Sequence, residues 1–182
     1  MIEEIINEKR NGKKKVYDES GNLIFEGDFI NDKRNGKGKE YNINRKIIFE
    51  GKYSNDVRNG EGKEYDNNGN IIYEGEYLNW KKNGKGKEYD KDGKLIFDAV
   101  YLYGYKFEGK LFINNILEYE GQFLYDRKWN GKGYDQNGKV IYELINGNGK
   151  VKEYNKKGIL LFEGEYLNGL KSGEGKNFMK LA

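Results

Sequence analysis

Residues able to do chemistry recur in this chain in fixed settings, and the first are acidic turns. "DKDGK" (90–94) and "DNNGN" (66–70) open like a calcium loop. They lack the further carboxylates and the bidentate Glu about seven residues on that such a loop needs, so a glycine-bulged turn with an Asx hydrogen bond is expected. "GKGKEY" has two phosphate-loop glycines, but no strand, Gly-Lys-Ser/Thr and helix around them. Glu26 and Asp28 are a repeating carboxylate pair. Their expected role is to face solvent opposite the aromatic rings, as cross-strand partners of Lys37 and Lys39 rather than as acid and base. With no His and no Cys, the commonest general base and metal ligand is missing, and so are thiolate sites. The expectation is a non-enzyme with no catalytic residue, metal or cofactor.

Two other groups suit binding. A row of expected turns carries Lys33, Arg34, Arg58, Lys81, Lys82, Arg127, Lys128 and Lys171, while the opposite row is mixed or acidic with Asp18, Asp66, Asp90, Asp92 and Asp135. Aligned along one edge, the basic row is a candidate for an anionic membrane surface, at about 1 kcal/mol per cation. Asp32, Asp56 and Asp126 dilute it. Net charge is only +3, from 33 basic and 30 acidic residues, which does not suggest a nucleic-acid partner. Trp80 stands where other copies have Asp32, Asp56 or Gly169, and Trp129 is read in the place of a basic residue such as Arg34 or Lys82. Trp on an expected loop often anchors an interface. Trp80 and Trp129, with Tyr101, Tyr103, Tyr105 and Tyr125, form the candidate protein-binding set.

The elements that must position these residues come from a repeat. Aromatic-x-Gly-x-aromatic recurs at Phe25-Gly27-Phe29, Phe49-Gly51-Tyr53, Tyr73-Gly75-Tyr77, Tyr119-Gly121-Phe123 and Phe162-Gly164-Tyr166, with altered copies at Phe97-Ala99-Tyr101 and Tyr142-Leu144. Gly-x-Gly-x-x-Tyr follows at Gly36-Gly38-Tyr41, Gly60-Gly62-Tyr65 and Gly84-Gly86-Tyr89, and later as variants ending at Gly173-Gly175-Phe178. The N-terminus fits with Ile5 at the place of Phe29 and Tyr17 at that of Tyr41. Eight units therefore begin near residues 1, 25, 49, 73, 97, 119, 142 and 162 of one repeat domain, 1–182.

Within "LIFEGDFI", Leu23, Phe25, Gly27 and Phe29 share one face, and Ile24, Glu26, Asp28 and Ile30 the other. That is strand period. Each unit reads as a β-hairpin, with "NDKRNG"-type loops on one side and "DESGN"-type turns on the other. In the latter, Gly21, Gly69, Gly93 and Gly138 suit the left-handed position; Asn115 can substitute there, and Arg45 predicts a different turn. The fold class is all-β: an elongated, single-layer, twisted antiparallel sheet of consecutive hairpins, roughly 75 Å long at strand spacing. Gly27, Gly36 and Gly38 are expected to make room for flat-lying rings.

The units "YEGEYLNWKKNGKGKEYDKDGKL" and "FEGEYLNGLKSGEGKNF" resemble MORN repeats, whose pattern joins an aromatic-x-Gly-x-aromatic strand, a turn with Asn-Gly or a similar dipeptide, and a Gly-x-Gly strand. The 24-residue spacing resembles the bacterial variant. The resemblance implies a scaffold that organises protein partners, dimerises, sits beside catalytic domains or associates with phosphoinositide-containing membranes. Lys14, Ala99, Leu144 and Val151 depart from its glycines, and Ala99 to Val151 is the irregular stretch. Function is therefore expected to be protein binding through the aromatic face and the Trp-bearing edge, with membrane lipid as the alternative. Homodimerisation or end-to-end self-association is expected from the exposed last strand at "KNFMKLA". Short apolar runs and an acidic N-terminus lacking signal-peptide character point to a soluble cytoplasmic protein, membrane-peripheral in the alternative.

Overall fold

The computed structural model describes residues 10–155 and 157–177. Among these the regular structure is strand: β1 (Gly12–Tyr17), β2 (Leu23–Ile30), β3 (Lys33–Tyr41), β4 (Ile47–Ser54), β5 (Val57–Tyr65), β6 (Ile71–Leu78), β7 (Lys81–Tyr89), β8 (Leu95–Leu102), β9 (Tyr105–Ile113), β10 (Ile116–Leu124), β11 (Arg127–Tyr134), β12 (Val140–Leu144), β13 (Gly149–Tyr154), β14 (Leu160–Leu167) and β15 (Leu170–Asn177). Strands β1 to β12 pair in sequence order, and β13 to β15 form a second, three-stranded sheet. The all-β array of consecutive antiparallel hairpins is thus present. Ile5, Phe178 and the C-terminal residues 178–182 lie outside the described residues. Contacts divide the chain into two compact units, Met1–Gly84 with Lys91–Gly93, and Lys85–Asp90 with Lys94–Ala182.

Two kinds of turn alternate. "DESGN"-type turns hold a left-handed residue at Gly21, Gly69, Gly93 and Gly138. Arg45 occupies the same place with φ 59°, and its N–H donates to Asn42 O at 2.9 Å just as Gly21 N–H donates to Asp18 O, so this turn does not differ. Asn115 belongs instead to a two-residue turn with Asn114, between paired Ile113 and Ile116.

The other row corrects the sequence reading. It closes on two residues, Asn31–Asp32, Asn55–Asp56 and Asn79–Trp80, all with positive φ as a type I′ turn demands. The following "KRNG" already belongs to the next strand. Asn35–Gly36 is no turn: Gly27 pairs with Gly38 and Phe29 with Arg34, so extra residues bulge from β3 there. Gly36 (φ +113°) serves this bulge, and a Cβ on it would meet Asp28 rather than a ring.

The rings form one buried layer. In the first unit Phe29, Phe25, Tyr53, Phe49, Tyr77 and Tyr73 touch in sequence, edge to face, with centroids 5.1–5.8 Å apart. Gly38 seats the Phe25 ring and Gly62 the Phe49 ring. In the second unit Tyr119, Phe123, Tyr142, Leu144, Val151 and Phe162 form the core. The four departures from glycine share one logic, since each faces a glycine across the ladder: Lys14–Gly27, Ala99–Gly109, Leu144–Gly131 and Val151–Gly164. One glycine per pair is enough for the strands to close over a side chain.

Candidate functional site

Cations of the expected basic edge are mostly not on an edge. Arg34, Arg58, Lys82 and Lys128 lie on the aromatic face and are half-buried. Arg34 Cζ sits 4.4 Å from the Phe25 centroid, Arg58 Cζ 3.8 Å from Phe49, Lys82 Nζ 4.1 Å from Tyr73 and Lys171 Nζ 4.4 Å from Phe162. Carboxylates alternate with them, Glu40 and Glu64 from Gly-x-Gly strands and Glu118 from the aromatic strand β10. Glu40 binds Arg58 at 2.5 Å and Arg34 at 3.7 Å, while Glu64 binds Arg58 at 3.4 Å and Lys82 at 3.9 Å. In the second unit Glu118 binds Lys128 at 2.8 Å, and Glu153 binds Lys171 at 2.9 Å and Lys128 at 3.8 Å. The chain thus roofs its own rings with paired charge, and the aromatic face is not bare. Lys33, Lys81 and Arg127 remain exposed beside the turns.

The acidic groups have local partners. Asp56 Oδ1 accepts from the Arg34 N–H at 2.8 Å, and Asp126 Oδ1 from the Lys106 N–H at 3.1 Å, stitching each turn to the preceding hairpin. Asp18 and Asp66 accept from backbone N–H groups two and four residues on, the expected Asx arrangement. Hydrogen bonds to Asn22 and Asn70 hold both carboxyls below the usual range. On the solvent face Glu26 is bridged by Lys15 at 3.8 Å, whereas Lys39 reaches Glu50 at 3.8 Å; Asp28 accepts from the Lys37 backbone N–H. Lys39 stands directly across the ladder from Glu26 and Lys37 binds Asp28, as expected, while the closest ammonium contacts of Glu26 and Lys39 run to the strands beyond.

Glu153 gives this charge row a measurable signature. Burial raises its pKa, but the Tyr166 hydroxyl and the Lys171 and Lys128 ammonium groups outweigh that and hold it below 4.5. A lowered folded-state pKa supplies stability that is present above about pH 4.5 and lost as pH falls through the folded value. Melting temperature followed by circular dichroism should therefore drop on acidification below that point, and Glu153→Gln should flatten the drop. An unchanged acid profile in Glu153→Gln would remove the assignment.

Both tryptophans have structural work. The Trp80 indole is 46 % exposed, yet lies 6.5 Å from the Tyr53 ring and 5.6 Å from Arg58 Cζ. Register assigns Trp129 differently from the sequence reading: Lys128, not Trp129, pairs with Phe123 as Arg34 pairs with Phe29. Trp129 is half-buried, its ring against Gly147 of the next turn, whose N–H donates to Trp129 O at 2.8 Å.

The tyrosines divide. Tyr101 is 1 % exposed and belongs to the core, so it leaves the binding set. Tyr103 and Tyr125 head two-residue turns with φ near 50°, and are 68 % and 71 % exposed. Tyr105 begins β9 and meets Tyr125 of the next hairpin at 5.7 Å between centroids. Phe107, between paired Lys106 and Glu108 at a register shift, is exposed nearby in β9, as are Leu102 and Leu124 at the ends of their strands. Sequence reasoning missed these last three. For Leu102 and Leu124 the signal was present, since both follow a core aromatic by one residue and so fall on the opposite face; the bulge that frees Phe107 left no local mark.

No helix among the described residues is long and apolar enough to cross a membrane. No curated protein matches the chain. The model of the MORN repeat variant matches residues 10–31, 58–79 and 82–102, and that of the MORN repeat matches 25–44 and 162–176, together just over half of the sequence. These matches fall on hairpins whose rings, seating glycines and register have just been described, and the chain belongs to the MORN-repeat family.

Proposed function

We propose that this chain is a non-enzymatic protein-interaction module, and that its contact surface is the aromatic cluster at the adjoining tips of β8–β9 and β10–β11. The family's repeats are associated with binding and scaffold roles. The observation that carries the reading is the Tyr105–Tyr125 pair: two rings from neighbouring hairpins touch at 5.7 Å while about half or more of each stays exposed. Such rings offer large contact area at low conformational cost, and nothing in the ladder requires an aromatic residue at a turn tip.

A photo-crosslinking amino acid at Tyr103 should yield protein adducts, and the same probe at Ile43, an exposed turn residue of the first unit, should not. Adding Tyr105→Ser and Tyr125→Ser should remove the Tyr103 adducts. Equal adducts at both positions, or none at either, would overturn the reading. The membrane alternative has less support, because half-buried Arg34, Arg58, Lys82 and Lys128 are neutralised by their own glutamates. Anionic liposomes that sedimented the chain in a salt-sensitive way would favour it instead.

A further inference from the structure

Two repeats of the second unit break the pattern of the charged roof, and the break leaves a notch on the edge opposite Tyr105 and Tyr125. In the regular ladder a glutamate pairs with the first ring of the next strand, as Glu40 does with Phe49, Glu64 with Tyr73 and Glu153 with Phe162. Leu111 in β9 and Gly133 in β11 take that place, paired with Tyr119 and Tyr142. The missing carboxylate comes from Glu118, bulged from β10 between Leu117 and Tyr119. Its Oε1 accepts from Lys128 at 2.8 Å and from the Tyr142 hydroxyl at 2.9 Å, while its Oε2, beside the same ammonium, is buried without a hydrogen bond. The turn before it changes too, since Ile113 and Ile116 pair where Asp66 and Asn70 close the regular turn.

The notch lies between the β9–β10, β11–β12 and β13–β14 turns, with the nearly buried Glu118 at its base. Ile113, Ile116 and Leu117 line one side, and the half-buried rings of Tyr134 and Tyr154 another. At the same repeat position Tyr41 and Tyr65 spend their hydroxyls on Glu26 and Glu50. Those of Tyr134 and Tyr154 make no such bond among the described residues. Asp135 completes the lining. Its Oδ1 accepts the N–H groups of Asn137 and Lys139 at 2.9 Å each, which leaves Oδ2, and the charge, without an ion-pair partner among the described residues. No residue lining the notch among those described is basic.

We propose that this notch binds the head group of an organic cation, a methylated ammonium. A metal ion needs several oxygens to replace its water, and the notch offers one unspent carboxylate oxygen amid aliphatic and aromatic carbon. Methyl groups on an ammonium suit that lining, because they make apolar contacts while the phenol rings attract the charge they surround. The cavity volume of about 30 Å³ exceeds the roughly 10–15 Å³ that seats one water, so a head group enters and the rest of the ligand stays outside. The site goes beyond the interaction reading and is independent of it, since strands of about eight residues separate the two edges by roughly 25 Å.

NMR of the full chain with labelled tyrosine rings tests this. Choline chloride should shift the Tyr134 and Tyr154 signals, with half-saturation in the millimolar range, and leave those of Tyr105 and Tyr125 in place. Dimethylbutanol, the neutral carbon isostere of choline, should bind about tenfold more weakly, and Asp135→Asn should weaken choline by a similar factor. That variant keeps its turn, because Asn42 and Asn155 accept the same pair of N–H bonds at the equivalent places. Acetyl-trimethyllysine methylamide is the second probe: tighter binding than choline supports the site with a modified side chain as the source, and weaker binding supports it with a small free cation. Equal affinity for choline and its isostere, or binding indifferent to Asp135→Asn, overturns the inference. So does the absence of any shift at Tyr134 and Tyr154 up to about 100 mM choline.

Discussion

Gly62→Val is expected to cost about 3–5 kcal/mol and to unfold the first unit well before the parent in urea. A Cβ at Gly62 would lie 2.5 Å from Phe49 Cζ and 2.7 Å from Cε2. The ring has nowhere to retreat. Phe49 is fully buried, with Tyr77 at 5.2 Å, Tyr53 at 5.8 Å and the Arg58 guanidinium 3.8 Å above it. The substitution therefore expels a ring that the whole edge-to-face chain leans on, and loses much of what Phe49→Ala would lose. Gly69→Ala is the control. It has a left-handed φ of +90° but nothing within 4 Å of an added Cβ, so only the backbone term of about 1–2 kcal/mol applies. Equal losses for Gly62→Val and Gly69→Ala would mean that glycine at 62 serves the backbone and not the ring.

Alkali should produce the second large effect. Burial pushes the hydroxyls of Tyr53, Tyr77 and Tyr142 upward, and the carboxylates of Glu40, Glu64 and Glu118 push them further. Tyr41, on the other face, is raised to about 12 by burial and by its bond to Glu26. The sign follows from linkage: a tyrosine that holds its proton longer when folded supplies stability below its unfolded pKa of about 10, and loses it as pH rises beyond that. At pH 11 each such ring forfeits about 1.4 kcal/mol, so the three together forfeit about 4 kcal/mol, a large part of an ordinary domain's stability. Loss of the β-sheet circular dichroism should therefore set in steeply above pH 10, together with the part of the tyrosinate absorbance that the buried rings contribute. In Tyr142→Phe, which lacks one of these protons, the loss should be shallower. Ionisation of the full tyrosine complement with the sheet intact would contradict the buried layer.

Much of the fold was legible because its determinants are local. Alternation in "LIFEGDFI" assigns faces by strand geometry alone, and the structure keeps Phe25 and Phe29 buried with Ile24 and Ile30 exposed. Turn glycines were legible for the same reason. The site was less legible because it depends on register. Asn35–Gly36 is a familiar hairpin-turn dipeptide, yet it sits inside β3, and the turn closes four residues earlier on Asn31–Asp32. That shift carries Arg34, Arg58 and Lys82 off an expected loop edge and onto the rings. The residues were correctly noticed, but the loop reading placed them in solvent.

The sequence by itself determined an array of hairpins with one aromatic layer and glycines to seat it, since period-two alternation and a strict repeat need only nearest neighbours. Tertiary structure alone decided which cations are spent on the protein's own glutamates and which side chains remain to meet something else. Ion pairs such as Glu40 with Arg58 join residues 18 apart, and the Tyr105–Tyr125 contact joins two hairpins. Both depend on bulges and turn lengths that set one hairpin against the next, and that is where a periodic sequence becomes a particular surface.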